Sequence, residues 1–159
     1  MDKRALARSV VAQLEDELAR QTEAAHGSRR EATDAENKAE NKYDMRSQSA
    51  AYLAAGQARL ASEIAAALDA WRTLSLEPGG PGEAIAAGSL VFLEGEGRRA
   101  AYLVGPHSGG LEARDGAASA TVVTPSSPLG RQLVGRRAGD SVQVAGRKGT
   151  VPFRIASVE

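Results

Sequence analysis

Large apolar residues in the first half of the chain fall at Leu6, Val10, Val11, Leu14 and Leu18, and again at Tyr52, Leu53, Leu60, Ile64, Leu68, Trp71 and Leu74. Both sets advance by three, four or seven, the spacing that lines up apolar side chains along one stripe of a helix and forms a coiled-coil seam. Between them the stripe thins to Ala25, Ala32, Ala35, Ala39 and Tyr43. Two helices folded back on each other pair residues whose numbers share a constant total. Leu14 with Ile64, Leu18 with Leu60, Ala25 with Leu53 and Val10 with Leu68 all total 78. The pattern predicts an antiparallel helical hairpin over residues 1–77 that folds back near residue 39, each arm about 50 Å long at 1.5 Å per residue. Gly27 and the polar run Asn37-Lys38-Ala39-Glu40-Asn41 favour a turn over a dimerising coiled coil or one unbroken helix.

The second half changes period. Ser89-Leu90-Val91-Phe92-Leu93, Arg99-Ala100-Ala101-Tyr102-Leu103-Val104, Ala120-Thr121-Val122-Val123, Ser141-Val142-Gln143-Val144 and Val151-Pro152-Phe153-Arg154-Ile155 read as short strands between glycine turns. Residues 107–116 read as a loop. Ser127, Pro128 and Gly135 frame a short helix over 128–134, with a serine cap, a proline at its first position and a glycine after its last. Pro152 suggests an edge or a bulge. About five strands and one short helix suit an α+β half-barrel.

Composition sharpens the boundary. All six prolines and fifteen of the seventeen glycines lie after residue 77. Glu77-Pro78-Gly79-Gly80-Pro81-Gly82 cannot continue a helix, so residues 78–84 read as a linker and 85–159 as a separate β-rich domain. Charge balances at 20 basic and 20 acidic residues, which removes any whole-chain attraction to nucleic acid or anionic membrane. The halves differ weakly, with eleven basic against thirteen acidic residues in 1–77 and nine against seven beyond. The absence of cysteine excludes disulfides, thiol nucleophiles and cysteine-zinc sites. Two histidines, His26 and His107, are too few for a histidine-rich metal centre and read as surface residues. No apolar run is long enough to span a membrane and none resembles a signal peptide. The expectation is a soluble cytoplasmic protein.

The hairpin tip is the first place for chemistry. On the pairing rule Asp34 faces Asp44, with Glu36 and Glu40 between them, so four carboxylates gather near one end. Mg²⁺ takes carboxylate oxygens while keeping several waters, and such a tip would suit an ion already held by another macromolecule. The plain alternative is a solvated turn of interleaved charges.

The stretch Ser126-Ser127-Pro128-Leu129-Gly130-Arg131-Gln132-Leu133-Val134-Gly135-Arg136-Arg137-Ala138-Gly139-Asp140-Ser141-Val142 resembles the Ser-Pro, short helix, Gly-(Lys/Arg)-(Lys/Arg)-x-Gly-Asp, strand signature of the bacterial transcript-cleavage factors, the GreA/GreB family. Tyr102-Leu103-Val104-Gly105-Pro106 is similar to a strand of the same domain. Glu40-Asn41-Lys42-Tyr43 is similar to the start of the family's second hairpin helix, one residue shorter, and Gly56-Gln57-Ala58-Arg59-Leu60 is loosely similar to a later part of it.

The resemblance implies an α+β fold, an N-terminal antiparallel coiled-coil hairpin followed by a small FKBP-like domain. It implies a monomer, with no membrane role, that docks on the rim of the secondary channel of bacterial RNA polymerase and inserts its hairpin. There the tip would modulate or stimulate cleavage of backtracked RNA. Asp34, Glu36 and Glu40, with Asp44, would help hold a Mg²⁺ shared with the polymerase, which performs the catalysis. The chain itself would be no enzyme, would carry no cofactor of its own and would approach the nascent RNA 3′ end only indirectly. Ser127, Pro128, Leu129 and Leu133 would form the docking patch, although leucines on a short helix are commonly core. Arg29, Arg30 and Arg46, with Lys38 and Lys42, would contact RNA phosphates or simply make a solvated face.

One departure opens a second function. Family tips carry Asp-x-x-Glu-Asn, whereas here the string is Asp34-Ala35-Glu36-Asn37, followed by Glu40-Asn41. The alternative is a channel regulator or inhibitor that does not stimulate cleavage. A stand-alone adaptor and an FKBP-type prolyl isomerase are further readings; Phe92, Tyr102 and Phe153 are too few aromatics to seat a proline.

Overall fold

The helix formers of the first half build two long helices, α1 (Lys3–Lys38) and α2 (Met45–Thr73). At 1.5 Å per residue they run about 54 Å and about 43 Å. The computed structural model describes residues 1–38, 45–77, 82–146 and 149–159, of which 31–38, 45–47 and 50 as backbone. Residues 1–12 with 69–159 form one compact unit, and residues 13–68 form another.

In the unit of residues 13–68 the two helices make a hairpin whose register differs from the one predicted. The Ser28 hydroxyl donates to Gln57 Oε1 at 3.0 Å, a pair whose numbers total 85 rather than 78. The difference of seven is one heptad. A stripe that repeats every seven residues superposes on itself after such a shift, so the pattern of apolar residues cannot distinguish the two registers.

The seam also has other members. On α2 the more buried positions follow Ala54, Gln57, Ala61, Ile64 and Leu68, in steps of three and four. On α1 they include Leu14, Glu17, Gln21, Ala24 and Ser28. Tyr52, Leu53 and Leu60, expected in the seam, are 83%, 56% and 40% exposed. The inner face toward the tip is therefore small and polar. Glu17 is clamped there by Gln21 Nε2 at 2.7 Å and Arg20 Nη2 at 2.6 Å. These hydrogen bonds, Gln21's first, hold its carboxyl below the usual glutamate range.

In the other unit, six strands form one mixed sheet: β1 (Leu90–Gly95), β2 (Arg98–Val104), β3 (Glu112–Asp115), β4 (Ala118–Val123), β5 (Ser141–Gly146) and β6 (Gly149–Val158). Their spatial order is β3-β4-β2-β1-β6-β5. All neighbours are antiparallel except β2 and β4, which pair in parallel from Tyr102↔Thr121 to Val104↔Val123. The expected loop over 107–116 thus contains a strand, β3, whose Glu-Ala-Arg-Asp sequence holds one small apolar residue and gives no hydrophobic alternation. The register between β1 and β6 shifts at Phe92/Leu93. The β1 ladder reaches β6 only as far as Arg154, so the missing N–H of Pro152 interrupts no rung with β1.

Successive strand residues point to opposite faces. Leu90 and Val91, Leu103 and Val104, and Val122 and Val123 are all buried, so the central strands are covered on both sides. One face carries the core cluster of Ile85, Val91, Leu93, Val104, Val123, Leu133, Val142, Phe153 and Ile155. At the other, Trp71 is 2% exposed and its ring lies so close to Gly105 that a Cβ there would clash with it. The indole Nε1–H finds no acceptor among the described residues, so shape alone holds the ring. The start of α1 is tied to β3: Ser9 Oγ accepts from the Arg114 N–H at 3.1 Å, and the Asp2 N–H donates to Asp115 Oδ2 at 2.8 Å.

Candidate functional site

The tip carboxylates fall only partly within the described residues. Asp34 and Glu36 lie on the last turns of α1, and Arg46 begins α2. Glu40 and Asp44, with the predicted turn, lie outside the described residues. Arg29 and Arg30 are exposed on α1, and Arg30 Nη2 lies 3.4 Å from Glu23 Oε1. Among the described residues no group of three or more His, Asp or Glu side chains is placed to hold a metal ion.

The Ser-Pro segment is fully described. The Ser127 hydroxyl donates to Thr124 O at 2.8 Å and accepts from the Gly130 N–H at 3.0 Å. This serine chemistry turns the chain out of β4 and opens a short helix, α3 (Gly130–Leu133), narrower than the predicted 128–134. A side chain at Gly130 would run into the Thr124 carbonyl, so the turn requires glycine there. Leu133 is 0% exposed and belongs to the core; it supports the segment from beneath instead of facing a partner. Leu129 is half-buried against the same cluster, Ser127 is half-buried and Pro128 is exposed.

Three features of this region escape the sequence reading. Val134 presents an apolar side chain, 42% exposed. Gln132 reaches the outer edge of β5, donating from Nε2 to Gln143 O at 3.0 Å and accepting the Gln143 N–H at Oε1, 2.9 Å. Its carboxamide completes the edge as another strand's peptide group would. Finally, Arg131, Arg136 and Arg137 donate to the main-chain carbonyls of Ser126, Gln132 and Gly82. The Gly-Arg-Arg run was visible in the sequence; the Gln132 clamp depends on the tertiary approach of α3 to β5 and had no local signal.

Residues 82–159 match the family described as "Transcription elongation factor, GreA/GreB, C-term". The C-terminal domain of the chain belongs to the GreA/GreB family of transcription elongation factors. No curated protein matches the chain in sequence. Among solved structures it is similar to the transcription factor Gfh1, with 23% identity over 95% of this chain and 94% of that one and a TM-score of 0.41. It is similar also to GreA factor homolog 1 (Gfh1) of Thermus thermophilus, with 23% identity over 94% of each chain and a TM-score of 0.40. Gfh1 of Thermus aquaticus shares 25% identity over 98% of this chain and 95% of that one, with a TM-score of 0.41. The expectation of cleavage stimulation through tip carboxylates is corrected: the tip string Asp34-Ala35-Glu36-Asn37 is one residue shorter than the Asp-x-x-Glu-Asn spacing of the family. Among the described residues no helix is long and apolar enough to cross a membrane.

Proposed function

We propose that this chain is a Gre-like regulator that binds bacterial RNA polymerase through its C-terminal domain, occupies the secondary channel with its hairpin and does not stimulate RNA cleavage. The observation that carries the proposal is the family match over residues 82–159. The shortened Asp34-Ala35-Glu36-Asn37 string supports the absence of cleavage stimulation. Mg²⁺ sharing belonged to the cleavage reading, and no step of this proposal uses it. The chain acts on the polymerase and is not itself the enzyme.

The finer assignments belong to the same reading. Residues 1–77 form the inserting hairpin, 78–84 the linker and 85–159 an FKBP-like docking domain, in a protein that works as a monomer. Ser127, Pro128 and Leu129 lie at the docking surface. Isomerase activity is not part of the reading: Phe153 is buried in the core, and the Arg99 guanidinium sits 4.7 Å from the centroid of the Phe92 ring, which leaves no cluster of free aromatics to seat a proline among the described residues.

The test adds the protein to stalled, backtracked polymerase complexes with Mg²⁺ and follows the RNA 3′ end. The expected result is association, slowed synthesis and no shortened RNA. Shortened RNA, or no association, overturns the proposal.

A further inference from the structure

The arginines of the C-terminal domain divide by partner. On the strands, Arg98 pairs with Glu96, Arg99 with Glu94 and Arg114 with Glu112. Around α3, Arg131, Arg136 and Arg137 form no ion pair among the described residues. Each instead gives one N–H to a main-chain carbonyl, which steadies the side chain and leaves the remaining guanidinium donors open. Asp140 is the acid nearest in sequence, and one of its oxygens already accepts the Arg137 N–H at 2.9 Å. All three arginines are exposed.

Exposed apolar residues lie among these charges in the sequence. Val134 follows Arg131 by three positions, which brings the two side chains to one side of the short helix, and Pro128 is exposed at its start. The Gln132 clamp to Gln143 fixes α3 to the sheet edge, and the 135–136 backbone is tied to Ile85 at 2.8 Å in both directions. The surface is therefore preformed. Exposed apolar residues beside arginines without ion pairs have the composition of a protein interface, in which arginine is enriched and the rim carries the charge.

We infer that Arg131, Arg136 and Arg137 form a cationic rim around Pro128 and Val134 that docks an acidic segment of the polymerase surface. The inference rests on the proposed function and names the chemistry of its partner site. Carboxylates suit the planar fork of a guanidinium, and Val134 supplies the dry centre against which such pairs gain strength. RNA phosphate would satisfy the same guanidiniums, but the patch offers no exposed aromatic side chain on which a base would stack.

The test titrates the fluorescently labelled full chain with core RNA polymerase over a series of salt concentrations. The variants are the triple Arg→Gln, the triple Arg→Lys and the triple Arg→Glu at positions 131, 136 and 137, with thermal midpoints recorded for each. The wild type is expected to bind, with affinity falling as salt rises. The Gln variant is expected to bind about tenfold more weakly, with a flattened salt dependence. The Lys variant should stay within about threefold of wild type, since it keeps the charge, and the Glu variant should bind most weakly. Equal affinity and equal salt dependence for wild type and the Gln and Glu variants overturns the rim while the polymerase reading stands. No binding by the wild type overturns both. A single-stranded RNA oligonucleotide serves as the competing probe: if the variants lose RNA binding and keep polymerase binding, the assignment to an acidic protein segment is overturned.

Discussion

At the scale of single residues, close contacts decide more than exposed charges do. Gly105 meets the Trp71 ring with no room for a methyl group. Gly105→Ala should therefore destabilise the protein by about 2 kcal/mol through overpacking, read as a lowered midpoint in urea. Combining it with Trp71→Ala should cost less than the two changes taken separately, because both act on one contact; strict additivity would refute the account. Glu17 tests the electrostatics. Its carboxyl is held below the usual range by Gln21 first and Arg20 next. A group whose folded value is lowered stabilises the fold above its unfolded value and loses that contribution as pH falls through the folded value. Carboxyl NMR should show Glu17 titrating below the ordinary glutamate range. Glu17→Gln should remove this part of the acid sensitivity, so the variant loses less stability than wild type as pH falls below the ordinary glutamate range.

At the scale of elements, legibility followed the range of the interaction. The turn at Ser127 was readable because its bonds to Thr124 and Gly130 are local. The hairpin was readable from its stripe, yet its register was not, because heptads repeat. The usual burial of leucine points to Leu53 and Leu60, while Ala54 and Ala61 one position later occupy the seam. The strand β3 and the parallel pairing of β2 with β4 depend on distant partners and left no periodic trace. The same holds for the sheet's two free edges. Each is closed by a side chain from elsewhere, Ser9 on β3 and Gln132 on β5, which guards against edge-to-edge association. Two predictions follow the elements. Ile64→Ala should cost about 2–4 kcal/mol, while Leu60→Ala, at an exposed position, should cost less than about 1 kcal/mol, both by chemical denaturation; comparable costs at the two positions would return Leu60 to the seam. Gln132→Ala should cost about 1–2 kcal/mol by exposing an edge pair of polar groups, and Gln143 should lose amide protection before its neighbours on β5.

At the scale of the whole molecule, stability is unevenly spread. The 69–159 part holds a sheet covered on both faces and a cluster of nine buried apolar residues. Residues 13–68 rest on one narrow seam in which Glu17, Gln21, Ser28 and Gln57 stand where a strong coiled coil would carry leucine or isoleucine. Long helices with a thin apolar stripe gain little beyond their own hydrogen bonds, and most helix stability in proteins comes from buried faces. Native-state hydrogen exchange should therefore divide the chain. Amides of Gln13–Leu68 should exchange through openings of low free energy, becoming more protected toward Ile64 and Leu68. Amides of β1, β2 and β6 should exchange only through global unfolding. Replacing the polar pair by Ser28→Ala and Gln57→Leu should raise protection on α1 and α2 without changing that of the sheet. If hairpin and sheet amides instead exchange at one common free energy, the polar seam is not a weak point and the molecule unfolds as a single cooperative body. On the proposed function the division would matter, because a hairpin stabilised only on contact with surrounding walls would gain its order inside the polymerase channel, while the C-terminal domain would keep its proposed docking surface throughout.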